Sequence, residues 1–170
     1  VHASKYGSTE RYAEWIGEAL EAPVVAAQDT SPEQLAEQEL VVFCAAVYGP
    51  SLRDSAELRK AMEHGTATRW VLVTVGLSDP AITTRRDELV AAKFPLDLRE
   101  RLRVVHLRGA MDRQRLSFVD RSLMRTIRAG LSAKPARTEE EQAMLDALEP
   151  SRVDFTDRAA VDLVLAACAG

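Results

Sequence analysis

Ser4-Lys5-Tyr6-Gly7-Ser8-Thr9 follows an apolar stub, Val1 to Ala3, and runs straight into an amphipathic stretch. Small hydroxyl residues and a glycine between a strand and a helix leave the first helical amides unpaired at the positive end of the helix dipole, a ready seat for an anion. Ser4, Ser8 and Thr9 add hydroxyl donors, and Gly7 permits close approach of an oxygen or a positive φ. Serine and threonine are also favoured as plain helix caps, so the hexad alone leaves both readings open. The following residues tie loop and helix into one unit. Tyr12, Ala13, Trp15, Ile16, Ala19 and Leu20 form an apolar face while Glu10, Glu14 and Glu18 turn to water.

Beyond this unit, apolar runs alternate with amphipathic ones. Val24 to Ala27, Leu40 to Val47, Trp70 to Val75 and Leu102 to Leu107 read as strands; 54–64, 84–93 and a tail at 157–168, opened by Thr156 or Asp157, read as helices. Continuous Val, Leu and Ala strands separated by helices describe a parallel sheet covered on both faces. Counting the stub gives five strands. The stub is shorter than a typical strand of about 5–6 residues, so its start is expected upstream of Val1. A chain of 170 residues buries one good core and is expected to form a single domain over 1–170. With 28% charged and 46% hydrophobic residues it reads as soluble and globular, neither disordered nor collagenous. No apolar run approaches the roughly 20 residues of a membrane span and no secretory signal is seen, which points to the cytoplasm. Cys44 and Cys168 lack metal-ligand spacing and read as buried thiols of a reducing compartment. The net charge of −4 gives no reason to expect a nucleic-acid partner.

At the loop and first helix the chain resembles flavodoxins. Their signature runs from a serine or threonine through a small residue and a threonine to an alanine and an aliphatic residue, and Ser4, Gly7, Thr9, Ala13 and Ile16 occupy those places in order. It differs from the triphosphate loop ending in Gly-Lys-Ser/Thr and from the three-glycine dinucleotide fingerprint; neither occurs here. The resemblance implies flavin mononucleotide (FMN) as cofactor, with its phosphate at Ser4, Lys5, Tyr6, Gly7, Ser8 and Thr9. It also implies a flavodoxin-like, doubly wound, five-stranded parallel α/β sheet of order 2-1-3-4-5, with the ligand outside the carboxyl ends of the strands at the switch point. In the loop after the third strand, Val47, Tyr48 and Gly49 then become cofactor contacts, with Tyr48 placed against the flavin ring or, in the plainer reading, an ordinary loop tyrosine. Asp54 reads as the cap of the next helix, and Arg53 stays open to either role. After the fourth strand, Gly76 and Leu77 are implied backbone contacts. Many flavodoxins carry a ring-sandwiching aromatic in this loop, and Gly76 to Pro80 has none, which leaves one flavin face open to a flat substrate.

The segment after the fifth strand narrows the resemblance. From Arg108 to Arg137 there are eight basic residues against two acidic ones, about +6, while the rest of the chain is about −10. Leu116, Val119, Leu123, Met124, Ile127 and Leu131 recur at helical spacing, so an extra amphipathic helix with a basic flank is expected within 111–131. Two readings stand side by side: the stripe packs on the domain with solvated arginines, or the helix rests on anionic lipid or a partner. The Gly109-Ala110 turn, the Phe118-Val119-Asp120-Arg121 helix and the Phe155-Thr156-Asp157 helix start resemble the menaquinone-dependent protoporphyrinogen IX dehydrogenases. That family has a helix richer in aromatics and lacks the acidic stretch at 132–150, around Glu139-Glu140-Glu141. The resemblance adds Gly109 and Ala110 to the cofactor contacts and implies a flat reduced ring substrate such as protoporphyrinogen IX, a quinone acceptor, and peripheral contact with the inner face of the cell membrane; a homodimer is left open. Arg53, Arg108 and Arg113 are candidates for tuning the flavin potential or pairing substrate propionates. His2, His64 and His106 offer neither a general base nor a metal site, and His106 in its apolar strand reads as structural. Three functions remain in view: a flavin-dependent dehydrogenase, an electron carrier with protein partners, and a binding module without flavin.

Overall fold

The continuous apolar runs assemble a parallel sheet in the computed structural model, which describes residues 1–82 and 84–170. The chain runs through β1 (His2–Ala3), α1 (Ser8–Leu20), a 3-10 turn (Ala27–Asp29), α2 (Pro32–Ala36), β2 (Leu40–Tyr48), β3 (Ser51–Leu52), α3 (Ser55–His64) and β4 (Arg69–Gly76). It continues through α4 (Thr84–Lys93), α5 (Leu96–Arg99), β5 (Leu102–Arg108), β6 (Ala110–Asp112), α6 (Phe118–Ser132), α7 (Glu139–Leu148), β7 (Arg152–Asp154), a 3-10 turn (Arg158–Ala160) and α8 (Val161–Ala169). The main sheet has the order β1-β2-β4-β5, all parallel, with β3 folded back antiparallel on the end of β2 through Val47↔Leu52 and Tyr48↔Ser51. This is the doubly wound α/β arrangement that the alternation of strands and helices foretells.

Alternate side chains of the central strands leave the sheet on opposite faces, so each face carries its own core. Phe43, Trp70 and Leu72 join Leu58 and Met62 of α3 and Phe94 on one side. Cys44, Val71 and Val73 join Tyr12 and Ile16 of α1 and Val164 of α8 on the other. Full burial of each such side chain stabilises the fold by about 1.5–3 kcal/mol. A third, smaller cluster of Met111, Leu116 and Leu148 lies under α6 and α7. Both cysteines are free and buried, and burial pushes the Cys44 thiol up to about 12.

Three expectations are corrected. Val24 to Ala27 is not a strand; it contributes one parallel bridge, His2↔Ala26, on the outer side of β1, where the order 2-1-3-4-5 places a second strand. Two-residue β1 offers too short a ladder, and Val24 and Val25 remain 37% and 38% exposed. Asp54 is the N-cap residue of α3 as expected, but at φ 52° its side chain accepts no hydrogen bond from the described helix amides; a capping side chain reaches them from the extended region. The segment expected to be helical from 111 instead begins as β6, paired antiparallel with β7, and the helix starts only at Phe118. Asp157 does cap the tail, accepting from the Ala159 amide at 2.9 Å.

Candidate functional site

The loop from Ser4 to Gly7 connects the carboxyl end of β1 to α1. Gly7 sits at the N-cap with φ 95°, a conformation that L side chains rarely adopt, and no side chain caps the helix. The Gly7 amide donates back to Ser4 Oγ at 3.2 Å, which curls the loop. Arg11 takes the Gly7 carbonyl at 2.9 Å, and among the described residues no group accepts from the amides of Ser8, Thr9 and Glu10. Three free amides at the start of a thirteen-residue helix therefore point out of the loop. On one side of the loop is a polar hollow of about 240 Å³ that Ser4, Lys5, Gly7, Glu10, Arg53 and Asp54 help line. Arg53 therefore sits beside the loop, not in the pocket at the strand ends.

Beside the loop, the ends of β2, β4 and β5 meet in a small pocket of about 60 Å³. Tyr6, Ser8, Val47, Tyr48, Gly76, Leu77, Gly109 and Ala110, all expected contacts, converge there from four loops, and Met111, Leu116, Asp120 and Met124 close it. Tyr48 meets Tyr6 edge-on, with centroids 5.9 Å apart at 74°, and burial pushes its phenol above the ordinary value. Gly109 marks the tightest approach: a Cβ there would lie 3.0 Å from Val75 Cγ1 and 3.1 Å from Ser8 Oγ. Thr9 is buried beneath the loop. Gly49 turns the chain at φ 54° under Leu123 and Ile127 of α6.

Two expected arginines point elsewhere. The Arg108 guanidinium stacks 3.6 Å from the Phe155 ring centre and donates to the Leu77 carbonyl at 3.3 Å, so it braces the loop after β4 from outside the pocket. Arg113 donates to the Leu148 and Pro150 carbonyls at 2.5 and 3.1 Å, closing the end of α7.

Asp120 is the site residue that chemical reasoning from sequence leaves out. It lies 8% exposed in the first turn of α6 and accepts from Lys5 Nζ at 2.5 Å, from the Tyr6 hydroxyl and from Ser117 Oγ at 2.9 Å. The Ser117 amide in turn donates to the Tyr6 hydroxyl at 3.0 Å. Burial opposes the Asp120 charge, but the hydrogen bonds from Lys5, Tyr6 and Ser117 prevail and hold its carboxyl below the usual carboxylate range. The Asp120 hydrogen bond likewise raises the Lys5 ammonium. Lys5 and Tyr6 thus latch the loop after β1 to α6. The signal available in the sequence was a lone carboxylate in an otherwise basic helix.

A larger chamber of about 300 Å³ adjoins the pocket and shares Val47, Leu77 and Met124 with it. Leu89, Ile127, Met144 and Leu148 make it mostly apolar, with Arg86 and His106 among its polar groups. His106 is structural as expected: Thr74 Oγ1 sits 2.6 Å from Nδ1, the Ser78 carbonyl lies 3.2 Å from Nε2, and burial lowers its pKa. The described residues contain no group of three or more His, Cys, Asp or Glu able to hold a metal, and no described helix is long and apolar enough to cross a membrane.

The donor set fits a phosphate-bearing planar cofactor: free amides and hydroxyls at the loop, then a glycine-tight pocket with aromatic and apolar walls. A family model described as a flavodoxin domain matches residues 1–138. No curated protein and no solved structure matches the chain.

Proposed function

The chain belongs to the flavodoxin-domain family, and from that premise we propose that it is an FMN-dependent oxidoreductase passing electrons from a flat reduced ring to a quinone, as a protoporphyrinogen IX dehydrogenase does. Flavodoxin domains bind a flavin, usually FMN, and transfer electrons. The observation that carries the cofactor reading is the set of three unpaired amides behind Gly7, at the carboxyl edge of the sheet beside a pocket drawn from four loops. When bound, the flavin supplies the electron and hydride chemistry.

The chain's own residues bind and orient. The amides of Ser8, Thr9 and Glu10, with Arg53 opposite, receive the phosphate; Val47, Tyr48, Gly76, Leu77, Gly109 and Ala110 shape the space for the rest of the cofactor. The apolar chamber, walled in part by Met124 and Ile127 of α6 and Met144 and Leu148 of α7, supports a flat, greasy substrate beside the cofactor. Phe118 and Val119, 82% and 72% exposed at the start of the arginine-rich α6, support peripheral contact with an anionic membrane where a quinone resides. Turnover is the test: FMN-loaded protein should convert protoporphyrinogen IX to fluorescent protoporphyrin only when a naphthoquinone is present to take the electrons. A loaded protein with no turnover for any quinone would reject the dehydrogenase and leave a flavodoxin-type electron carrier. One observation favours that second reading: both candidate proton carriers near the pocket, Asp120 and His106, are already held by protein partners.

A further inference from the structure

Arg113, Arg121, Arg125 and Arg128 surround one hollow of about 160 Å³ whose remaining wall is Met111, Met124 and Leu148. Among the described residues no carboxylate comes within ion-pair distance of any of the four, although Arg11, Arg59 and Arg158 find partners elsewhere on the surface. Arg121, Arg125 and Arg128 follow one another at i, i+4 and i+7 on α6, a spacing at which like charges oppose the helix that carries them. Arg113 is fixed from the other side by the carbonyls at the end of α7. Arg121 is held by the Leu116 carbonyl at 3.1 Å, and its Nε is buried without a hydrogen-bond partner. Arg125 and Arg128 remain exposed, with no hydrogen-bond partner among the described residues.

Four guanidinium groups converge on a concave site, two of them braced by backbone carbonyls, and no anion among the described residues answers them. We propose that this hollow is a second anion site, separate from the loop at Gly7, for a ligand that presents clustered acidic oxygens such as a phosphate group. Planar guanidinium forks match such oxygens in pairs, and a bound dianion removes the mutual repulsion of the arginines. The apolar floor accommodates the body to which the anion is attached. Met111 and Met124 also wall the strand-end pocket, so the anion is held one side-chain layer from the proposed redox site. The inference rests on the arginines and does not require the flavin reading. A soluble phosphate compound and an anionic lipid headgroup share this chemistry, and Phe118 lies one turn before Arg121 on the same helix.

Pyrophosphate titrated calorimetrically at low salt tests the site, with two variants that separate it from the phosphate loop. Arg125→Gln/Arg128→Gln alters two exposed side chains and should fold normally; Ser8→Asp places a carboxylate among the free amides of the loop. The expected result is pyrophosphate affinity weakened at least about tenfold in the double arginine variant and retained in Ser8→Asp, while FMN binding shows the opposite pattern. Unchanged pyrophosphate affinity in the double variant, or no saturable binding by the parent, overturns the site whatever the FMN result. If FMN binds neither parent nor variant while the arginine-dependent pyrophosphate binding persists, the flavin reading fails and this one stands. Sedimentation with phosphatidylglycerol vesicles, lost in the double variant, assigns the headgroup as the source; pyrophosphate binding without vesicle binding assigns a soluble ligand.

Discussion

At the scale of single residues, a backbone angle at Gly7 and the side chain of Asp120 hold the loop in shape. Gly7 holds φ 95° with nothing within 4 Å of where a Cβ would stand, so the cost of Gly7→Ala is conformational and not a clash. It should destabilise the protein by about 1–2 kcal/mol in urea unfolding and weaken FMN binding by moving the amides. Asp120 ties Lys5, Tyr6 and Ser117 together, and its removal leaves their polar groups competing for water. Asp120→Ala should cost about 1–3 kcal/mol, toward the lower end because the Lys5 side chain is still 35% exposed. The sign of its pH dependence follows from a carboxyl held below its unfolded value. Its stabilisation is complete above the unfolded pKa near about 4 and disappears as pH falls through the lower folded value, so the stability gap between parent and Asp120→Ala should close on acidification. A gap independent of pH from neutrality down to strong acid would show that the charge of Asp120 contributes nothing. Gly7 was legible in the sequence because only its neighbours were needed to interpret it. Asp120 stood out in the sequence only as a lone carboxylate in a basic helix and as part of a family pattern, because Lys5 and Tyr6, which tie it to the loop, lie more than a hundred residues away in the chain.

At the scale of elements, α6 and α7 form the roof of the site. Met124 and Ile127 of α6 pack against Leu148 and Met144 of α7, so the apolar stripe read from the sequence faces the protein except at Val119, which is exposed along with Phe118, Arg125 and Arg128. Leu148 is 2% exposed and closes both the apolar chamber and the third core cluster. Leu148→Ala should cost about 2–5 kcal/mol by thermal or denaturant unfolding. It should also loosen the roof, read as faster hydrogen exchange in 139–148 with the amides of β2 and β4 still protected; uniform loss of protection would mean that the roof is not a separate unit. Long apolar strands and the helices at 55–64 and 84–93 could be read directly, since period and burial coincide in them. β6 and β7 could not: three residues each, they pair across 110–112 and 152–154, and no local periodicity announces so distant and short a ladder. The acidic run Glu139-Glu140-Glu141, which the sequence marks only as an inserted acidic stretch, is the first turn of α7, opened by a Thr138–Glu141 capping box and favoured by the helix dipole.

For the whole molecule, sheet order sets the function. Parallel strands deliver their carboxyl ends to one edge, and the loops after β1, β2, β4 and β5 meet there with no long-range design beyond the alternation of strand and helix. The likeness to known chains is to the flavodoxin domain over residues 1–138, but the fold's own core reaches further: Val161, Val164 and Cys168 of α8 lie in the same cluster as α1 and β4. Arg108 and Arg113 show what sequence order cannot convey, since adjacency to a strand end does not fix the direction in which a long side chain points. The edge built around Gly7 is proposed to hold a phosphate-bearing flavin. The visible absorption spectrum of the purified protein titrated with FMN, and separately with riboflavin, tests it most directly. Saturable perturbation of the flavin bands by FMN, with little by riboflavin, is the predicted result, because the free amides act on the phosphate. Equal binding of both would show that the loop does not recognise the phosphate, and binding of neither would contradict a flavin site at this edge.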